Sequence, residues 1–76
     1  MNYSTHLFRH LRSNIGNNIQ NQRKKQKLTL QKLSYLSGIS EKLLDCYELG
    51  KYEIKLHELL KISCVLKLEV VDLLRR

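Results

Sequence analysis

An all-α fold of five helices is the fold class that this 76-residue sequence predicts, and three observations lead to it. Apolar residues recur three and four positions apart through most of the chain, which is the spacing of one helix face rather than of a strand. The sequence contains no proline that would interrupt a helix. Hydroxyl residues and glycines stand where helices would begin and end.

The first helix is expected over residues 14–26, because Ile15 and Ile19 lie four positions apart and repeat on one helix face. Its last turn carries the basic run 23–27. Positive charge is favourable there, because the backbone dipole of a helix places partial negative charge at its C-terminal end. The pattern therefore predicts both the helix and its end near residue 28.

The second and third helices, expected over residues 30–36 and 40–48, are joined by only three residues. Thr29 and Ser40 stand at their starts, where a hydroxyl can accept a hydrogen bond from the free backbone N–H groups of the first turn. Gly38 in the link can adopt the positive φ of a sharp turn, so the two helices should cross steeply. This is the spacing of a helix-turn-helix, and equally that of a plain helical hairpin in a small bundle.

The fourth and fifth helices are expected over residues 56–66 and 69–75, where apolar residues keep the helical spacing. This part of the chain carries more apolar surface than a protein of this length can bury alone. We therefore expect a two-fold symmetric dimer contact there. The residues expected in it are Val65, Leu68, Val70 and Val71.

The composition excludes several classes of protein. With 42% apolar and 28% charged residues, the chain has the composition of a globular domain rather than a disordered tail. No apolar run reaches the ~18 residues that cross a bilayer, and no signal peptide opens the chain. The two cysteines, Cys46 and Cys64, are too few for a disulfide scaffold or a four-cysteine zinc site, which favours a reducing, cytoplasmic location.

Residues with catalytic or metal-binding chemistry are sparse in this sequence. His6 and His10 would share a helix face, but the other ligands of a metal site would have to come from distant positions. A glycine-rich phosphate loop and a Ser-His-acid arrangement are both missing from the sequence. We therefore expect no enzyme activity, no metal, no cofactor, no small-molecule ligand and no attachment to a membrane.

The positive charge is concentrated in the first half of the chain. Residues 1–40 hold seven Lys or Arg and no acidic residue, whereas residues 41–76 hold seven basic and seven acidic residues. The whole net charge of +7 therefore comes from the first half and is densest over residues 23–27. Such a field attracts polyanions, and both nucleic acids and anionic membranes belong to that class.

An ordered set of residues between about positions 15 and 74 has the pattern of a known family. The set is Ile15-Gly16, Ile19, Arg23, Leu28-Thr29, Leu33-Ser34, Gly38-Ile39-Ser40, Leu44, Glu48, Gly50-Lys51, Leu56, Leu59-Leu60-Lys61-Ile62, Leu66 and Leu73-Leu74. It resembles the phage-repressor (Xre/Cro-type) helix-turn-helix family. The resemblance implies a compact five-helix domain that binds operator DNA as a homodimer, with residues 40–48 as the recognition helix in the major groove.

The resemblance maps the base-reading positions onto the start of the recognition helix and one later turn: Ser40, Glu41, Lys42 and Cys46. Lys42 can donate to O6 or N7 of guanine, and Glu41 can accept from N4 of cytosine. Cys46 is a poor hydrogen-bonding group, so its contact would be packing, for example against a thymine methyl group. Exposed helix residues without any DNA contact would give the same pattern.

Contacts to the DNA backbone are expected from residues around the same face: Lys27, Thr29, Lys51, Tyr52 and Lys55. The start of the second helix is a ready phosphate site, because the first N–H groups of a helix have no partner within it. Two positions depart from the family. Leu30 stands where a Gln commonly follows the capping Thr, and residues 52–54 stand where a basic residue is usual.

The resemblance also implies an internal ion pair. Arg23 and Glu48 match family positions whose side chains join the first helix to the third. A guanidinium and a carboxylate can pair through two parallel hydrogen bonds, which suits a partly buried site. We expect this pair to stabilise the fold rather than to contact DNA.

An N-terminal extension, residues 1–14, precedes the helix-turn-helix domain expected over residues 15–76. Its apolar residues with helical spacing are Leu7, Phe8 and Leu11. We expect an extra short helix over residues 3–12 whose apolar face covers Tyr35 and Leu36, in its own subunit or in a partner. The alternative is a frayed terminus.

These patterns favour a sequence-specific, DNA-binding transcriptional regulator that acts as a homodimer on a short palindromic operator. Its expected partners are double-stranded DNA and a second copy of the chain. A phage repressor, an antitoxin and a restriction–modification controller all fit, and the sequence does not choose among them. The alternative function is a protein-interaction module that keeps the fold without reading DNA. Leu30, the acidic third helix and the apolar residues at 35, 36 and 71 favour that alternative.

Overall fold

The computed structural model describes residues 3–75, with side chains described from Arg9 onward, and this part of the chain is entirely helical between its turns. The helices are α1 (Tyr3–Lys25), α2 (Leu30–Ser37), α3 (Glu41–Glu48), α4 (Leu56–Leu66) and α5 (Val70–Leu74). The expected all-α architecture of five helices is confirmed. Within residues 3–75, none of the helices has the length and apolar character needed to cross a membrane.

Helix α1 is longer than the sequence pattern predicts. It runs without a break for 23 residues, so the expectation of a separate short helix over residues 3–12 is wrong. Nothing between residues 12 and 15 stops the helix, and the single glycine that follows lowers helix stability by only about 1 kcal/mol. We also expected the apolar face of the N-terminal segment to cover Tyr35 and Leu36 of α2. Within the subunit this expectation is wrong, because Tyr35 is 80% exposed and Leu36 is 48% exposed. The side chains of Leu7 and Phe8 lie outside the described ones, and the domain boundary at residue 14 stays a prediction.

The starts of α2 and α3 follow from hydroxyl side chains next to them in the sequence. Thr29 Oγ1 accepts a hydrogen bond from the Lys32 N–H at 3.0 Å, and Ser40 Oγ accepts one from the Leu43 N–H at 3.1 Å. Both caps were predicted, and they satisfy N–H groups that have no partner within the helix. Between them, Gly38 adopts the left-handed φ of 75° that ends α2 and turns the chain into α3.

Helices α1 and α4 end in the same way, on a lysine in the left-handed conformation. Lys27 and Lys67 both have φ of 60°, a region that L-residues other than glycine rarely occupy. After each, a backbone N–H returns to the last turn: Leu28 donates to the Arg23 carbonyl at 3.0 Å, and Leu68 to the Ser63 carbonyl at 2.9 Å. The predicted breaks near residues 28 and 67 are therefore tight turns that orient the next helix.

All five helices contribute to a single core. The largest fully buried side chains are Ile19, Leu33, Leu44, Ile62, Leu66 and Leu73. Three of the residues expected in a dimer contact, Val65, Leu68 and Val70, pack partly against this core in their own subunit. The fourth, Val71, is 57% exposed. Most of the apolar surface that we expected in the dimer contact therefore packs within the subunit, because α5 folds back onto α1 and α4.

A close backbone approach joins α1 to the C-terminal end of α3. A Cβ atom placed on Gly16 would lie 2.3 Å from the Tyr47 carbonyl oxygen and 2.7 Å from that of Glu48. Real carbon and oxygen atoms do not come this close, so glycine is required at this position for the observed packing. The contact holds the last turn of α3 against α1.

Candidate nucleic-acid interface

The C-terminal end of α3 is held inside the subunit by an ion pair. Arg23 Nε donates to Glu48 Oε2 at 2.7 Å and Arg23 Nη2 donates to Glu48 Oε1 at 3.0 Å. Both residues are buried, and the third guanidinium nitrogen, Nη1, donates to the Leu28 carbonyl at 2.7 Å. Gln20 Nε2 supplies a further hydrogen bond to Glu48 Oε1 at 3.3 Å. The hydrogen bond from Arg23 to Glu48 and the attraction between the two charges raise the pKa of the guanidinium, which stays charged.

A second polar contact ties the same end of α3 to α4. The Tyr47 hydroxyl donates to Glu58 Oε1, while the ring of Tyr47 lies in the core. Burial raises the pKa of Tyr47 to about 12, and the hydrogen bond to Glu58 adds to the shift. The phenol therefore remains protonated and donating throughout the physiological pH range. Sequence reasoning missed this contact, because residues 47 and 58 belong to different helices and neither is unusual in its own helix.

The N-terminal end of α3 is exposed, in contrast to its buried C-terminal end. Ser40, Glu41 and Lys42 are all exposed, so the side chains predicted to read bases are accessible from outside the subunit. Cys46, one turn after Lys42, is half-buried. The steep turn through Gly38 produces this arrangement, because it lets α3 leave α2 at an angle with its first turn free.

A shallow depression lies beside this end of the helix. Its lining is formed by Ser40, Lys42, Leu43, Cys46 and Tyr52. Three of the four predicted base-reading residues are therefore brought together with Tyr52, which comes from the loop after α3. Glu41 is outside the lining. The placement of Tyr52 against α3 could not be read from sequence, because it depends on how the loop over residues 51–55 folds back.

A second depression lies at the start of α2, and it includes two residues that the sequence analysis missed. It is lined by Thr29, Gln31, Lys32 and Tyr35. The Lys32 ammonium sits 5.5 Å from the centre of the Tyr35 ring, within the range of a cation–π contact. An amide and a basic residue two and three positions after the capping Thr29 were the available signal for Gln31 and Lys32, since such side chains can contact a phosphate at a helix N-terminus.

The remaining residues predicted to contact the DNA backbone are accessible. Lys27 is exposed at the turn before α2, Lys51 and Tyr52 are exposed in the loop after α3, and Lys55 is exposed at the start of α4. Thr29 uses its hydroxyl oxygen as the α2 cap, so its side-chain oxygen already holds one hydrogen bond. These five positions flank the exposed end of α3 along the chain, and their contact with DNA stays a prediction.

Three of the seven acidic side chains accept internal hydrogen bonds, whereas Glu41, Asp45, Glu53 and Glu69 are exposed. Within residues 3–75, Glu48 pairs with Arg23, Glu58 accepts from Tyr47, and Asp72 accepts from the Glu69 N–H at 3.0 Å. Glu41 and Asp45 are the exposed acids on α3 itself.

The described residues contain no group of three or more His, Cys, Asp or Glu that could hold a metal ion. Cys46 and Cys64 are both free thiols.

Comparison with protein families identifies this arrangement. A family model described as "Helix-turn-helix" (HTH_3) matches residues 19–73, which include the turn through Gly38 and all of α2, α3 and α4. The chain belongs to the helix-turn-helix family. The resemblance stated from the sequence is therefore confirmed. This is a family of DNA-binding transcriptional regulators rather than enzymes, which agrees with the expectation that the protein is not an enzyme.

Two solved structures are similar to this helix-turn-helix protein. The restriction-modification controller protein C.AhdI from Aeromonas hydrophila has 24% sequence identity and a TM-score of 0.79, covering 82% of this chain and 94% of that one. An HTH_3 family transcriptional regulator from Vibrio cholerae has 27% identity and a TM-score of 0.83. That alignment covers 87% of this chain and 37% of the Vibrio protein, so the similarity concerns one part of a longer regulator. A search of curated proteins found no match.

Proposed function

We propose that this protein is a transcriptional regulator that binds a short palindromic operator as a homodimer and reads it with the N-terminal end of α3. The observation that supports this most directly is the orientation of α3. Its last turn is locked inside the subunit by Arg23 and by Gly16, whereas Ser40, Glu41 and Lys42 are exposed. A rigidly held helix with a free first turn has the geometry that a major groove accepts.

The side-chain chemistry of the exposed first turn of α3 supports the recognition of DNA bases. Lys42 offers an ammonium donor for the acceptors of the major groove, which are O6 or N7 of guanine and O4 of thymine. Glu41 offers a carboxylate acceptor for N4 of cytosine. Because Glu41 would repel phosphates, we place its carboxylate away from the DNA backbone. We assign Ser40, Lys42 and Cys46 to the same reading surface, since they share one depression.

Affinity for the DNA backbone is assigned to the basic and polar residues around this turn. Lys24, Lys25 and Lys27 are exposed at and just after the end of α1, and the N–H groups of Leu30 and Gln31 open α2. A chain with a net charge of +7 releases counterions when it binds a duplex. Binding should therefore weaken steeply as salt is added, and the sequence-independent part of the affinity should weaken with it.

The homodimer is supported by apolar side chains left outside the core near the C-terminal end of the described chain. Leu56 and Leu60 are exposed one turn apart on α4, and Val71 and Leu74 are exposed on α5. We propose a two-fold contact that includes Val71, because Val65, Leu68 and Val70 are already partly buried in their own subunit. Two subunits would then place their α3 helices in half-sites about 34 Å apart, one turn of DNA. The cytoplasm, where DNA and free thiols coexist, is the proposed location.

Selection of bound fragments from random duplexes, followed by fluorescence anisotropy at two salt concentrations, tests the DNA-binding part. We expect a palindromic site, with Lys42→Ala relaxing the preference at one position per half-site by about 10-fold or more. Lys27→Ala should weaken all sequences by similar factors and reduce the salt dependence. Lys61→Ala, an exposed lysine on α4, is the matched control and should change neither. Binding too weak to measure at low salt would instead favour a protein-interaction module, with exposed Tyr35 and Leu36 as its contact surface.

Sedimentation velocity tests the dimer separately. Val71→Glu should shift the protein from dimer to monomer while leaving its melting temperature within a few degrees, because Val71 is exposed within the subunit. Tyr35→Glu places the same charge on an even more exposed residue of α2 and should leave the dimer intact. Loss of the dimer in Tyr35→Glu but not in Val71→Glu would contradict the proposed contact.

A further inference from the structure

The depression beside α3 has a lining of unusual chemical composition for a surface that contacts bases. Lys42 and Cys46 lie one turn apart, and Leu43 lies between them on the same side of the helix. Tyr52 contributes to the lining from the loop after α3, and Ser40 contributes from the N-cap of the helix. The lining therefore combines an ammonium group with a mostly apolar wall.

The charged group in the lining of this depression is a hydrogen-bond donor. Lys42 can only donate, and Leu43 can do neither. The Ser40 hydroxyl accepts from the Leu43 N–H at 3.1 Å, which uses one of its two lone pairs, and the Tyr52 hydroxyl can donate or accept. The thiol of Cys46 is a weak hydrogen-bonding group that behaves as a small apolar side chain. Glu41, whose carboxylate would attract an amino group, is outside the lining.

The four bases differ in how well they match such a lining in the major groove. Thymine presents the O4 acceptor together with the 5-methyl group, which is the only apolar projection in the groove. Cytosine presents an amino donor that Lys42 would oppose, adenine presents an amino donor beside its N7 acceptor, and guanine presents two acceptors. None of these three bases carries a methyl group in the groove. A donor beside an apolar wall is therefore complementary to thymine.

We propose that this depression is a thymine-reading pocket, in which the 5-methyl group packs between Cys46 and Tyr52 while Lys42 donates to O4 of the same base. The proposal rests on the proposed function, namely that the exposed end of α3 enters a major groove, and it adds one base of the operator to that function. It also gives Tyr52 a role in specificity beyond the backbone contact predicted from sequence.

Base analogues in the selected operator test the pocket one atom group at a time. Replacing the critical thymine by deoxyuridine removes only the methyl group, and we expect a loss of affinity of about fourfold at one position of each half-site. Replacing the same T·A pair by 5-methylcytosine·guanine keeps the methyl group but exchanges the O4 acceptor for an amino donor. That change should cost more than the deoxyuridine change, because it sets the amino group against Lys42.

Protein variants connect the effect to this pocket. Cys46→Ser keeps the size of the side chain and makes it polar, so the preference for thymine over deoxyuridine should fall below about twofold. Tyr52→Ala removes the other wall and should act in the same way. Cys64→Ser is the matched control, since Cys64 is exposed on α4 and should leave the preference unchanged. Circular dichroism confirms that each variant is folded before titration.

The failure of the pocket and the failure of DNA reading give different results. If the protein binds its operator tightly but no thymine in either half-site is sensitive to deoxyuridine, the pocket is excluded and DNA reading by α3 stands. A sensitive thymine that keeps its full methyl effect in both Cys46→Ser and Tyr52→Ala also overturns the pocket. If no duplex is bound at low salt, both the proposed function and the pocket are wrong.

Discussion

The two ends of α3 carry the same type of residue in opposite surroundings. Glu48 in the last turn is 3% exposed and is held by Arg23 and Gln20, whereas Glu41 in the first turn is exposed. The two carboxylates are two helical turns apart, so they extend from similar sides of the helix. Their difference comes from position along the helix axis: α1 covers the last turn of α3 and does not cover the first.

This contrast separates residues that hold the helix from residues that can read a ligand. Substitutions at the buried end should change folding, and through folding everything else. Substitutions at the exposed end should change what the helix recognises and leave folding as it was. Because native domains are stable by only about 5–15 kcal/mol in total, the distinction is measurable by thermal melting.

The largest effect on folding is expected from Arg23→Ala. The substitution leaves the buried Glu48 carboxylate without its two guanidinium hydrogen bonds, which should lower the free energy of unfolding by about 3–5 kcal/mol. Arg23→Lys keeps the charge but cannot form the paired geometry, so an intermediate loss is expected. Thermal unfolding by circular dichroism measures both. Arg9→Ala, at an exposed arginine of the same helix, is the control, and equal melting of Arg9→Ala and Arg23→Ala would show that the pair is unimportant.

Gly16→Ala tests the backbone contact at the same end. In an ordinary helix position this substitution would stabilise by about 1 kcal/mol. Here the added methyl group meets two carbonyl oxygens of α3, so we expect the sign to reverse and stability to fall by about 1–3 kcal/mol. The exposed neighbour Asn17, changed to Ala, should melt close to wild type. A more stable Gly16→Ala protein would mean that α1 and α3 lie farther apart than described.

A smaller loss of stability is expected for Tyr47→Phe, and this loss should depend on pH. Loss of the hydrogen bond to Glu58 should cost about 1–2 kcal/mol at neutral pH. The pKa of Tyr47 is raised to about 12 in the folded protein, above its ordinary value of 10. Its contribution is therefore complete below pH 10 and is lost as the pH rises toward 12. Denaturant titrations at pH 8, 10 and 11 should show the two proteins converging, and a constant difference between them would show that folding does not raise the pKa of Tyr47.

The smallest effect on folding is expected at the exposed end of the helix. Lys42→Ala should change the free energy of unfolding by less than about 0.5 kcal/mol, because the side chain is exposed. The same protein should lose about 1–3 kcal/mol of discrimination at one operator base pair. Melting and DNA titration on one preparation make the comparison. A destabilised Lys42→Ala protein would remove the distinction between the two ends of α3.

Much of the fold could be predicted because its signals are local. Thr29 and Ser40 cap their helices through N–H groups only three residues away, and Gly38 ends α2 by its own backbone conformation. The length of α1 was not predicted, since an extension that carries no stop signal can continue a helix or fray. The Arg23–Glu48 pair was expected from a resemblance rather than from spacing, because 25 residues separate the two side chains.

The features of the candidate site also divide into those that the sequence determines locally and those that only the tertiary structure creates. The residue types that can contact DNA, and the positive charge of the first forty residues, are properties of the chain as written. The burial of Glu48 arises only when α1 packs across one end of α3. The grouping of Tyr52 with Cys46 requires the loop over residues 51–55 to fold back, and the exposure of Lys42 requires the turn through Gly38. Local sequence controls hydrogen bonds within a turn of helix, whereas burial is created by surfaces that are distant along the chain and meet only in the folded protein.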